Sequence, residues 1–93
     1  RIAAFKALLH RGDGLPPEAR RQGFGALAAA GGPLRLLAEE QLALIDVETG
    51  ATEAALDRLQ AIREDAGATA GLRRRATQLI VALGAEPRPL ADG

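Results

Sequence analysis

The chain has 93 residues, and its twelve Lys and Arg balance twelve Asp and Glu, so the formal net charge is zero. This balance gives no general field that would attract a polyanion, and two aromatic residues, Phe5 and Phe24, give no platform for stacking bases. Composition therefore argues against nucleic acid as a partner. The lack of Cys excludes disulfides and thiol chemistry. No apolar run approaches the roughly 18 residues that span a bilayer.

Apolar residues at helical spacing, separated by Gly and Pro, predict an all-α fold of about five helices in antiparallel hairpins. The predicted helices cover residues 1–10, 16–30, 34–48, 52–66 and 70–83. We expect residues 1–85 to form one helical domain and residues 86–93 to form a flexible tail. Because the chain begins with Arg1 rather than Met, we also expect it to be a piece of a longer protein.

The breaks between helices carry specific end signals. Gly50 is predicted to end the third helix in the left-handed conformation, and Thr49 or Thr52 to cap the next helix. Thr69 is predicted to cap the last helix. Gly23 and Gly25 weaken the second helix and would be tolerated where a neighbouring helix packs closely.

The second, fourth and fifth helices each have an apolar stripe that we expect to face the core. The predicted inward residues are Phe24, Leu27 and Ala28, then Ala55, Leu56, Leu59, Ile62 and Ala66, then Leu72, Ala76, Leu79, Ile80 and Leu83.

A sequence repeat is marked by two glycines, Gly50 and Gly84. Their separation is about 34 residues, the length of one tetratricopeptide unit. A small residue lies seven positions before each glycine, at Ala43 and at Thr77, and Ala55 follows the first of them. Small residues at such positions let two helices approach closely, as in a tetratricopeptide unit. The pattern predicts a short, right-handed tetratricopeptide-like solenoid. Helix two shows a looser echo of the pattern about one repeat earlier.

The segments "GGPLRLLAEEQLALIDVETGATEAALDRLQAI" and "GLRRRATQLIVALG" resemble the C-terminal half of tetratricopeptide-like, YfgM-type membrane proteins of alphaproteobacteria, relatives of the ancillary subunit of the SecYEG translocon. The resemblance implies a periplasmic repeat domain on the bacterial inner membrane, with a membrane anchor outside this chain. It implies contacts with the translocon, periplasmic chaperones or outer-membrane assembly factors. It supplies no catalytic residues.

Residues capable of chemistry are few. His10 is the only imidazole, and no metal-ligand grouping surrounds it in the sequence. Ser and Cys are absent, and the four Thr lie at turns except Thr77, which we expect to pack or to bond back to the main chain. Glu39–Glu40 and Glu64–Asp65 are neighbours whose side chains diverge on a helix, typical of solvated faces. We therefore predict a non-enzyme without metal or cofactor.

The run Arg73-Arg74-Arg75 is the sharpest charge feature. Three successive residues cover most of a helix circumference, so they cannot form one flat patch. Two main interpretations remain open, and nucleic acid is the third and least favoured. The arginines could be solvated or paired with Asp57, Glu64 and Asp65 on the preceding helix, or they could bind an anionic partner, either a peptide carboxylate or lipid headgroups.

The first helix of each tetratricopeptide unit lines the concave face of the array. The corresponding positions here are Leu37, Glu40, Leu44 and Val47, then Gly71, Arg74, Gln78 and Val81. Several are apolar but lie off the inward stripes. They could form a groove that docks a partner peptide, or the place where upstream repeats pack. We expect proteins or peptides as partners; self-association through an exposed apolar face is the alternative.

Overall fold

A computed structural model of the protein describes residues 16–87. These residues contain no strand and form four α-helices: α1 (Pro17–Ala30), α2 (Arg35–Glu48), α3 (Thr52–Glu64) and α4 (Ala70–Ala82). The all-α prediction is confirmed, but the described residues hold four helices rather than five. The helix predicted over residues 1–10 lies outside the described residues, as does most of the predicted tail.

The helices pack in chain order, α1 on α2, α2 on α3 and α3 on α4. Short connections over residues 31–34, 49–51 and 65–69 turn the chain back on itself, which places sequence neighbours side by side. Pro16 precedes α1 and Pro17 is its first residue, where a missing N–H costs no hydrogen bond.

The core consists of two clusters that meet at α2. Phe24, Ala38, Leu42 and Ile45 fill the space between α1 and α2. The second cluster joins α2, α3 and α4, and comprises Ala43, Leu59, Ile62, Ala68, Leu72, Ala76 and Ile80. Leu42 and Ala43 are adjacent in sequence yet belong to different clusters, because adjacent helical positions point about 100° apart. Helix α2 is therefore the element around which the rest is arranged.

Helices α2 and α4 end in the same way, one repeat apart. Gly50 and Gly84 have φ values of 82° and 87°, in the left-handed region. The N–H of Gly50 donates to Val47 O at 3.2 Å, and that of Ala51 donates to Asp46 O at 2.8 Å. The matching bonds at Gly84 are 2.9 Å and 3.2 Å long. Both ends are complete Schellman motifs, which confirms the predicted glycine stops.

The buried stripes of α2 and α4 follow the same spacing as the glycines. Three positions of α2 and the three positions one repeat later in α4 are all buried. They are Ala38 and Leu72, Leu42 and Ala76, and Asp46 and Ile80. The repeat therefore extends from the glycine turns to the burial of the helices before them.

Two local predictions are wrong. Neither Thr49 nor Thr52 caps α3: the residue before its first turn is Ala51, which makes no side-chain cap, and the Thr49 hydroxyl donates to Ile45 O at 2.9 Å. Ala66 is exposed and Ala68 is buried in its place. The reason is that α3 ends at Glu64, and Asp65 accepts a bond from the Gly67 N–H that turns the chain.

Two further predictions concern a cap and a helix contact. Thr69 caps α4 as predicted, and its hydroxyl accepts a bond from Leu72 N at 3.1 Å. A close helix contact at Gly25 is not found, since a Cβ built there meets nothing within 4 Å.

Candidate interaction surface

The predicted groove positions form one row on α2 and one row on α4; we call these two rows the α2–α4 face. The rows are Leu37, Glu40, Leu44 and Val47, and Gly71, Arg74, Gln78 and Val81. Leu44 is 41% exposed and Val81 is 57% exposed. Among residues 16–87 these are the only large apolar side chains classed as exposed. The other large apolar side chains of this part of the chain are at least partly covered.

An ion pair connects the two helices, and one of its members, Glu40, belongs to the row on α2. Arg75 Nε lies 2.9 Å from Glu40 Oε2, and Arg75 Nη2 lies 3.1 Å from Glu40 Oε1. This two-pronged geometry is the strong form of an arginine–carboxylate pair. The hydrogen bonding to Glu40 raises the pKa of Arg75, and the negative charge of Glu40 raises it further. Glu40 therefore connects the helices, and its charge is already neutralised.

The three successive arginines have three different surroundings. Arg73 donates to the main-chain oxygens of Arg63 at 3.1 Å and of Asp65 at 3.0 Å, so it satisfies the carbonyl end of α3. Arg75 pairs with Glu40 on α2 rather than with an acidic residue of the preceding helix. Arg74 is exposed and contacts no hydrogen-bond or ion-pair partner within the described part of the chain.

A second charged cluster lies at the junction of α1, α2 and α3. Asp46 is only 3% exposed, and its two oxygens face two arginines. Arg21 Nη1 lies 2.6 Å from Oδ1, and Arg58 Nε lies 3.3 Å from Oδ2. Arg58 also bonds to Glu39. Sequence reasoning did not identify this cluster. Asp46 lies one turn after Leu42 on the buried stripe of α2, and this position could have predicted a buried carboxylate that needs a cationic partner.

An open cleft of about 390 Å³ adjoins this charged cluster. Its lining comprises Arg21, Gly25, Ala28, Ala29, Glu39, Leu42 and Arg58. The small residues of α1 leave the space open. Both guanidiniums of the lining already contact carboxylates, Asp46 and Glu39, so the positive and negative charges balance. The cleft therefore has no excess charge with which to hold an anion.

Polar groups are also buried between α3 and α4. Arg63 Nε donates to the Thr77 hydroxyl at 2.8 Å, and its Nη1 donates to Gln60 Oε1 at 3.1 Å. The Thr77 hydroxyl in turn donates to Arg73 O at 2.9 Å, so the prediction that Thr77 bonds back to the main chain is confirmed. The chain of bonds satisfies the buried guanidinium and fixes the register of the two helices.

The turn between α3 and α4 contains Asp65, whose carboxyl pKa is lowered in the folded chain. The Gly67 N–H donates to Asp65 Oδ1 at 2.8 Å, and Arg35 Nη2 donates to Asp65 Oδ2 at 2.9 Å. These two bonds, the first being the larger effect, lower the pKa of Asp65. Arg35 begins α2, so the pair also connects α2 to the end of α3.

The described residues show no cluster of three or more His, Cys, Asp or Glu that could hold a metal ion. His10 lies outside them. Of the helices in residues 16–87, none combines the length and the apolar character needed to cross a membrane.

Comparison of the chain with protein-family models, with curated proteins and with solved structures gave no match.

Proposed function

We propose that this chain is a non-catalytic protein-interaction module whose α2–α4 face docks a segment of a partner protein. The observation that carries the proposal is the exposure of Leu44 and Val81, while the other large apolar side chains of residues 16–87 are at least partly covered. Contiguous exposed apolar surface is typical of protein-binding sites, and a partner that contacted both residues would cover them. The pair Arg75–Glu40 supports the proposal because it connects the two helices that carry the rows.

We further propose that the architecture is tetratricopeptide-like. The support is the repeat from Gly50 to Gly84, seen in the glycine turns and in the buried stripes of α2 and α4. Packing in chain order also suits this architecture, in which each unit mainly contacts its neighbours. In such arrays the first helix of every unit lines the binding face, and α2 and α4 would be these helices.

The setting of the module is proposed from the resemblance to YfgM-type proteins. It would face the periplasm at the bacterial inner membrane, held by an anchor outside this chain. Its partners would then be the translocon or proteins that assemble the cell envelope.

Crosslinking followed by mass spectrometry on the full-length protein in its native cells tests the proposal. We expect crosslinks between the α2–α4 face and a partner protein, and their loss in Leu44→Asp and Val81→Asp, because a charge in an apolar contact must be desolvated. Ala61→Glu is the matched control, since it adds one negative charge at an exposed position of α3. Crosslinks that persist in both Asp variants would contradict this docking face.

Self-association is the second candidate, favoured by the same exposure of Val81. It predicts a mass in solution that rises above 9.6 kDa with concentration and returns to the monomer in Val81→Asp. Hetero-partner binding predicts a monomer at all concentrations. Sedimentation of the 93-residue chain, before and after substitution, separates the two.

A further inference from the structure

We propose that the α2–α4 face selects an extended partner segment that carries an Asp or Glu three positions from a Leu, Ile or Val, with Arg74 pairing the acid and Val81 contacting the apolar side chain. This inference rests on the proposed function and states the chemistry of its partner.

The first step is the charge on the α2–α4 face. Its predicted rows contain two formal charges, those of Glu40 and Arg74. Glu40 is engaged by both prongs of Arg75, so it neither attracts a cation nor repels an acid strongly. Arg74 has no such partner among residues 16–87. The face therefore presents one unneutralised positive charge among apolar and uncharged polar side chains, which is complementary to an acidic side chain.

The second step is the spacing along α4. Arg74, Gln78 and Val81 follow one another at helical intervals on one side of α4, and all three are exposed. Arg74 and Val81 are separated by about 10 Å along the axis, at 1.5 Å per residue. An extended chain in the polyproline II conformation rises about 3.1 Å per residue with three residues per turn, so side chains three positions apart lie on one side of it, about 9 Å from each other. The acid and the apolar residue of the partner must therefore be about three positions apart.

The third step is the main chain of the partner. An extended segment brings N–H and C=O groups that lose water when they dock and then need partners. Gln78 lies between Arg74 and Val81, and its amide both donates and accepts hydrogen bonds. An extended main chain between the two anchors can bond to it. A helical segment would have satisfied these main-chain groups internally and would bring none of them to Gln78.

The test begins with a library of random linear peptides displayed on phage and selected on the 93-residue chain. We expect enriched sequences to contain Asp or Glu three positions from Leu, Ile or Val. The most enriched peptide is then synthesised with a fluorescent label, together with a version in which the acid is replaced by its amide. Fluorescence anisotropy measures the dissociation constants of both peptides with each protein variant.

Arg74→Gln should weaken binding of the acidic peptide about fivefold, the effect expected for one exposed ion pair. The amide peptide should bind the wild-type protein about as weakly as the acidic peptide binds Arg74→Gln. The amide peptide with Arg74→Gln should bind little more weakly than either single change allows, because both changes remove the same ion pair. Ala61→Glu lowers the net charge by the same single unit on α3, so it should leave binding unchanged if the effect is local. Circular dichroism checks that each variant is folded.

The remaining outcomes separate the two proposals. Peptides that lose binding in Val81→Asp but bind Arg74→Gln as tightly as wild type would overturn the acidic-partner inference and leave the docking face intact. Failure to enrich any peptide, or binding that ignores Val81→Asp, would overturn the proposed face together with the inference. Binding to phosphatidylglycerol vesicles that depends on Arg74, without any acid-dependent peptide, would replace the peptide by a lipid surface and overturn the inference as well.

Discussion

Asp46 is a charged residue at a position that the repeat assigns to the core. Its counterpart one repeat later is Ile80, and both are buried. A buried carboxylate persists only where bonds compensate for the lost water, and here Arg21 and Arg58 supply them from the two neighbouring helices. One side chain of α2 thus fixes the positions of both α1 and α3.

We expect Asp46→Ala to lower the free energy of unfolding by about 2 kcal/mol, since it leaves two guanidiniums without their shared partner. The value is below that of a fully buried pair because Arg21 and Arg58 are each about a third exposed. Urea unfolding measures the change. Asp57→Ala, on the exposed side of α3, is the control and should change stability by less than about 0.5 kcal/mol. Equal effects of the two substitutions would contradict the role given to Asp46.

Asp65 predicts a specific dependence of stability on pH. Its pKa is lowered in the folded chain, so its contribution is present above the pKa of an unfolded Asp, about 3.9. The contribution is lost as pH falls from there through the lower folded pKa. Asp65→Asn removes this titration and the ion pair with Arg35. The difference in stability between wild type and Asp65→Asn should therefore shrink as pH falls below about 4. A difference that stays constant in urea unfolding between neutral and acid pH would disprove this.

At the scale of a single helix, two glycines differ in backbone conformation, so replacing each by Ala should change stability in opposite directions. Gly50 ends α2 at a positive φ, which an L side chain adopts only with strain. Gly25 lies inside α1, where a Cβ would contact nothing. We expect Gly50→Ala to cost about 1 kcal/mol in the free energy of unfolding, and Gly25→Ala to add up to about 1 kcal/mol. Thermal unfolding of both variants checks the signs; two changes of the same sign would contradict the assignment.

The helix ends show what sequence can and cannot predict. Gly50, Gly84 and Thr69 act through their own backbone and side-chain chemistry, so their positions could be read directly. The end of α3 was predicted at Ala66, two residues too late. It is fixed by the Asp65 turn and by Arg73, which bonds to the last carbonyls of α3 from the next helix. A contact from another helix leaves no trace in local periodicity.

For the candidate surface, too, sequence predicts some features and not others. Helical spacing and the repeat could place Leu44, Val81 and Arg74 away from the inward stripes, and each is exposed. The pairing of Glu40 with Arg75 could not be read, because it depends on how α4 packs beside α2. That pairing decides which of the neighbouring charges remains available to a partner.

For the molecule as a whole, packing in chain order predicts uneven local stability. Helix α3 packs against α2 and α4 on two sides, whereas α4 packs mainly against α3 within the described residues. Residues of α4 should therefore open more often than residues of α3. Hydrogen exchange followed by mass spectrometry should show faster exchange in α4 than in α3. Equal protection throughout both helices would indicate that they open only together.

The regular spacing of the glycine turns also bears on how such a chain can change over evolutionary time. Each turn closes a unit that ends in the same backbone geometry. A gene segment that encodes one unit could be duplicated or deleted without disturbing the joints on either side. Length, and with it the number of surface positions open to selection, can then vary by whole units while the existing joints are kept.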